Sequence, residues 1–80
     1  MTNIFLTQEI LEQNGFESLY NNGIYKWKNG NQVIVIDLIQ PKCCQVYDTI
    51  QKERYEGSIT TVNELLLAIE LCKINKTIEL

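Results

Sequence analysis

Histidine is absent from this 80-residue chain. That removes the usual general base, the Ser-His and Cys-His dyads and the commonest metal ligand. No run approaches the roughly 18 apolar residues of a membrane span, and the start lacks the basic-then-apolar build of a secretory leader. The expectation is a soluble, cytoplasmic protein. Cations are in short supply: seven Lys and Arg against ten Asp and Glu, net −3, too few for a duplex-binding surface. The acidic excess is equally thin for a DNA mimic, and most of the glutamates sit where a helix surface explains them. Phosphate-cradling G-x-G-x-x-G and G-K-[ST] motifs are missing, as is any C-x-x-C pair. Three cysteines leave one unpaired under any disulfide scheme, and adjacent Cys43 and Cys44 would strain a mutual bridge. They are expected to be ordinary semi-buried thiols in a reducing compartment, with no metal and no cofactor.

What is present is enough for one small domain over residues 1–80, at 45% hydrophobic and 21% charged. A short helix is predicted over residues 8–14. Thr7 is its N-cap, Glu9 lies in the first turn, Leu6 and Leu11 form a hydrophobic staple, and Asn14-Gly15-Phe16 makes a Schellman close. A weaker strand is expected around Glu17–Tyr20, ended by Asn21-Asn22-Gly23.

Ile24–Lys28 and Asn31–Ile39 are β-type runs joined by Asn29-Gly30, the preferred pair for a type I′ turn. That turn predicts Lys28 opposite Asn31 and Tyr25 opposite Ile34. Tyr25, Trp27, Ile34, Ile36 and Leu38 then share one face, the core face. Lys26, Lys28, Val33, Val35 and Asp37 share the other. Pro41 is expected to end the second strand. Beyond it a second hairpin is preferred, with Arg54–Thr60 extended and Gly57 a bulge or close-approach point. A helix over 45–54 stays open, because Val46, Ile50 and Arg54 repeat at four.

Thr61-Val62-Asn63-Glu64 is a capping box opening a helix whose Val62, Leu65, Leu66, Ile69 and Cys72 make a broad apolar stripe. Lys73 falls in its last turn, Asn75 is the expected left-handed close, and Thr77–Leu80 is a candidate terminal strand with Ile78 and Leu80 turned inward. The fold class is thus α+β: a short N-terminal helix, an antiparallel meander of three or four strands, and a C-terminal amphipathic helix packed on one sheet face. So small a core nets only a few kcal/mol. Spare apolar surface at Val33 and Val35, and at Leu67 and Leu71, argues for a homodimer.

Tyr25-Lys26-Trp27-Lys28 has the composition of a base-stacking strand, but the pleat sends rings and ammonium groups to opposite faces. Asp37, Asp48, Glu56, Tyr47, Tyr55, Cys43 and Cys44 are the groups an enzyme would draw on, and their spacing indicates no catalytic pair. The chain is therefore expected not to be an enzyme.

Three stretches carry a resemblance: Leu6-Thr7-Gln8-Glu9-Ile10-Leu11-Glu12-Gln13-Asn14-Gly15-Phe16, then Tyr55–Leu65, then Leu71-Cys72-Lys73-Ile74-Asn75-Lys76-Thr77-Ile78-Glu79-Leu80. Together they resemble the start (L-T-x-E-I-L-E-x-N-G-F) and the ending (V-H-E-L-Q, L-C-G-I, K-E-I-E-L) of small proteins encoded by Bacteroides- and Flavobacterium-group bacteria, their phages and prophages. About half the chain is covered. Asn63 stands where those proteins commonly carry histidine, and Lys73 where they carry glycine. The resemblance implies a phage or prophage accessory protein acting by stoichiometric protein binding, including inhibition of a host defence system. The expected contact surface is the outer sheet face with Lys26, Lys28, Val33, Val35 and Asp37. The alternatives are a binder of a small molecule or nucleotide signal at an oligomer interface, and a single-stranded nucleic-acid binder.

Overall fold

The computed structural model describes residues 4–20 and 22–80. Residues 1–3, on which the expected lack of a leader partly rests, and Asn21 of the expected turn lie outside the described residues.

Helix α1 spans Gln8–Gln13, with the Thr7 side chain accepting the Ile10 N–H. Gly15 takes φ 87, and the Gly15 and Phe16 amides donate back to the Glu12 and Leu11 carbonyls. That is the Schellman pairing, with Leu11 and Phe16 both buried in one core cluster.

Five strands follow in sequence order as one antiparallel meander, one or two more than expected. They are β1 Glu17–Leu19, β2 Ile24–Asn29, β3 Gln32–Asp37, β4 Cys44–Asp48 and β5 Arg54–Gly57. The second hairpin, not the helix, forms after Pro41. The β2–β3 register differs from expectation by two places: Tyr25 pairs with Ile36, Trp27 with Ile34 and Asn29 with Gln32. Gly30 and Asn31 are the loop, and only Gly30 (φ 60) is left-handed, as a glycine-first type II′ turn requires. A two-place shift keeps every side chain on its expected face, so the division into core and outer residues survives it.

Strand β3 stops at Asp37, before Pro41. The Asp37 carboxylate accepts the Ile39 and Gln40 amides at 2.9 and 2.8 Å and turns the chain, and Pro41 opens a 3-10 turn, Pro41–Cys43. Asp48 does the same after β4, taking the Ile50 and Gln51 amides at 2.9 and 3.0 Å.

Helix α2 spans Val62–Leu71 behind a complete capping box. One Glu64 oxygen accepts from the backbone and hydroxyl of both Thr60 and Thr61. Its buried Val62, Leu65, Ala68 and Ile69 join Tyr25, Ile34, Ile36, Val46 and Leu11 in the core, so both helices cover the same sheet face. The segment before α1 is tied in as well: Leu6 donates to the Thr60 carbonyl and Val62 to that of Ile4.

After α2 the left-handed residue is Lys73 (φ 54), not Asn75, because the Schellman bonds fall on Lys73 and Ile74, which donate to Glu70 and Ile69. Residues 74–80 form a strap, not a strand. Its Asn75 amide donates to Gln32 Oε1 at 2.7 Å. The Asn14 side chain grips Glu79 at both backbone groups, 2.9 and 2.7 Å. Ile78 packs on the core as expected, whereas Leu80 is exposed. No backbone ladder reaches that far, so nothing fixes the alternation that would turn it inward.

Two outcomes follow, both measurable by urea unfolding. Thr61→Ala removes the hydroxyl that caps α2 and should cost about 1 kcal/mol. Lys73→Gly relieves a left-handed residue bearing a Cβ and should add roughly 0.5–1 kcal/mol.

Candidate functional site

Register assigns the outer face in full. Glu17 and Leu19 from β1 stand beside Lys26 and Ile24, and Lys26 and Lys28 beside Val35 and Val33. Gln45 and Tyr47 from β4 come next, then Glu56 and Arg54 from β5. Both helices lie on the other face, where their buried apolar side chains belong to one cluster. Half-buried Leu19, Ile24, Val35 and Tyr47 form an apolar strip bordered by charges of both signs.

The five residues expected at this surface fare differently. Lys28 is exposed, and Lys26 and Val35 are half-buried on the open face. Neither lysine joins an ion pair among the described residues, where Arg54–Glu56 is the recorded one. Val33 is a correction: at 4% exposure it is not spare surface. It sits on the central strand between Lys28 and Tyr47, two neighbours with stems long enough to cover it. Asp37 lies on the same face, but its carboxylate is engaged in the turn after β3. Leu19, Tyr47 and Arg54 were missed, whereas Ile24 follows from the same β2 parity that places Lys26 and Lys28. Parity would have found the three once β1, β4 and β5 were accepted as paired strands.

The aromatic pair is on the core face. Tyr25 is buried, and Trp27 packs against the core with the Lys76 ammonium 5.4 Å from its ring centroid. On the outer face the Arg54 guanidinium stands 5.2 Å from the Tyr47 ring centroid.

The groups an enzyme would use do not converge. Asp37 and Asp48 hold turns, Glu56 pairs with Arg54, and the Tyr55 hydroxyl donates to the Ser58 carbonyl at 3.0 Å. Burial pushes the Cys44 and Cys72 thiols up from the ordinary value, so both stay neutral in the core, while Cys43 is exposed. Among the described residues no cluster of three or more Cys, Asp or Glu is placed to hold a metal, and no helix is long and apolar enough to cross a membrane. A shallow cleft of about 330 Å³ opens beside β1 and β2, lined by Gly15, Glu17, Leu19, Lys26 and Lys28. In it Glu17 stands opposite Lys26 across the β1–β2 pair.

Two carboxylates are held below the usual range. The Gln51 and Ile50 amides, with the Gln32 side chain, lower Asp48, and the Thr60 hydroxyl and amide, with those of Thr61, lower Glu64. Depressed folded-state values mean stability that is present above the unfolded-state pKa values, about 3.9 and 4.3, and lost as pH falls through the lower folded ones. Thermal melts between neutral pH and pH 2.5 should therefore show Tm falling from about pH 4 downward, and Asp48→Asn with Glu64→Gln should flatten that fall. Compared with known protein families, with curated proteins and with solved structures, the chain matches none.

Proposed function

We propose that this chain is a non-catalytic protein-binding module that docks through the outer face of its sheet. The observation that carries this reading is the uncovered face itself. Leu19, Ile24, Val35 and Tyr47 form an apolar centre, and Lys26, Lys28, Glu17, Arg54 and Glu56 supply a polar rim. An apolar centre inside a charged border is the anatomy of a protein interface. Mixed signs in the border suit a specific partner better than nucleic acid, which asks for cations alone. The resemblance to small phage and prophage proteins supports the same picture and suggests the class of partner, a component of a host defence system bound one to one.

The cleft beside Lys26 and Lys28 favours one second reading, a small phosphorylated ligand such as a nucleotide signal. Single-stranded nucleic acid has less support, since Tyr25 and Trp27 face the helices.

The test is affinity capture with the tagged chain, beside a variant carrying Lys26→Glu and Lys28→Glu. The wild type should recover one host protein at a stoichiometric ratio, and the variant should bind it at least about tenfold more weakly, a loss of about 1.4 kcal/mol. Capture that is unchanged by the charge reversal, or no stoichiometric partner together with a nucleotide-induced rise in Tm, would displace this reading in favour of another surface or of the small ligand.

A further inference from the structure

A meander of five strands in sequence order has two open edges, β1 and β5. Their backbones differ in what they offer. In an antiparallel ladder successive residues alternate, one bonded to its neighbour strand and the next turned away. The Asp48 amide donates to the Glu53 carbonyl, in the register that sets Val46 opposite Tyr55 and Cys44 opposite Gly57. Glu53, Tyr55 and Gly57 therefore bond inward to β4. Arg54 and Glu56, both exposed, turn two donors and two acceptors outward. On β1 the phase is set by the Leu38 amide on the Gly23 carbonyl, which turns Ile24 and Lys26 of β2 toward Leu19 and Glu17. Ser18 alone then faces out, and Tyr20 at φ 59 breaks the extended run beside it. Only β5 presents an edge that can carry a further ladder.

The side chains of β5 supply a second, independent constraint. Arg54 and Glu56 stand two places apart on the outer face and pair with each other. A second copy of β5 laid antiparallel on this edge can match outward groups in three ways. Arg54 opposite Arg54, or Glu56 opposite Glu56, sets like charges together and aligns one outward residue. Arg54 opposite Glu56 aligns both, sets unlike charges together twice, and closes four backbone hydrogen bonds. The two-fold axis then passes between the two copies of Tyr55. The tyrosine ring does not obstruct it. That ring lies along its own strand over Gly57, whose added Cβ would meet the hydroxyl at 3.4 Å, and donates to the Ser58 carbonyl. In a two-fold pair the rings run away from the axis in opposite directions.

We infer that β5 is the seam of a homodimer, two copies joined edge to edge with Arg54 of each opposite Glu56 of the other. The same patch serves both copies, so the assembly closes at two. Charges that would bar a foreign strand select this one, because the order Arg-Tyr-Glu is complementary to itself when reversed. Strands β3 and β4 stand between this seam and the lysines of β2, so it stands or falls separately from docking there.

Sedimentation equilibrium of the full chain should show a dimer whose share rises with concentration, and nothing larger. The Arg54 and Glu56 amides should be protected from deuterium exchange, more so as concentration rises. Arg54→Glu and Glu56→Arg each set like charges at both contacts and should weaken the dimer at least about tenfold, with the far-ultraviolet spectrum unchanged. An equimolar mixture of the two variants should regain dimer, since every contact then joins unlike charges. A chain carrying both substitutions should dimerise for the same reason. A wild type that stays monomeric at millimolar concentration overturns the proposal. So does a dimer indifferent to both single variants, a dimer whose Arg54 and Glu56 amides exchange freely, or a mixture that stays monomeric. Growth beyond two copies would overturn it too, because β5 would then be pairing head to tail with β1.

Discussion

One face of a five-stranded sheet has to be kept dry by sixteen helical residues, six in α1 and ten in α2. At 1.5 Å per residue the helices run only about 9 and 15 Å, while five strands spread over about 19 Å. The helices cannot close the layer alone. Irregular chain at both ends completes it, with Leu6 before α1 and Ile74 and Ile78 after α2. Much of the polar detail serves that need. The Phe5–Thr61 bridge brings the leading segment alongside the start of α2, and the Asn14 and Gln32 amides replace the ladder that the strap lacks. Among the described residues no buried side-chain nitrogen or oxygen is left without a partner.

What could be read from the sequence was what short range decides. The capping box at Thr61, the Thr7 cap and the Schellman close at Gly15 each involve residues within five places of one another, and all three are present. The assignment of Tyr25 and Trp27 to the core face depended on the two-residue alternation of a strand, which no register error of two can disturb. The register was harder. Asn29-Gly30-Asn31 contains both an Asn-Gly and a Gly-Asn pair, and each suits a primed turn. The structure takes the second, which sets Gln32 opposite both Asn29 and Asp48 and places its amide for the strap. In that register Gln32 meets groups 16, 41 and 43 places away, Asp48, Lys73 and Asn75, none of which the Asn29-Gly30-Asn31 segment itself contains.

The candidate surface was legible in part. Its lysines and Val35 followed from parity on β2 and β3, but its extent depended on how many strands would join. With β1 and β5 in place Leu19, Arg54 and Glu56 join the face, Tyr47 comes with β4, and Val33 is buried at 4% exposure. Burial on a sheet without a covering layer is a property of the row across the strands, and a single chain segment does not contain it. The strap was beyond reach for the same reason. Asn14 and Glu79 lie 65 residues apart, and an asparagine next to glycine reads first as punctuation at a helix end.

The lone indole of the chain lies on the inward side of β2 with an ammonium from the strap above it. Its emission therefore depends on whether that charge is in place, and a solution of the unmodified protein carries an optical gauge of where its last residues rest. No dye, label or added tryptophan is needed to watch them move.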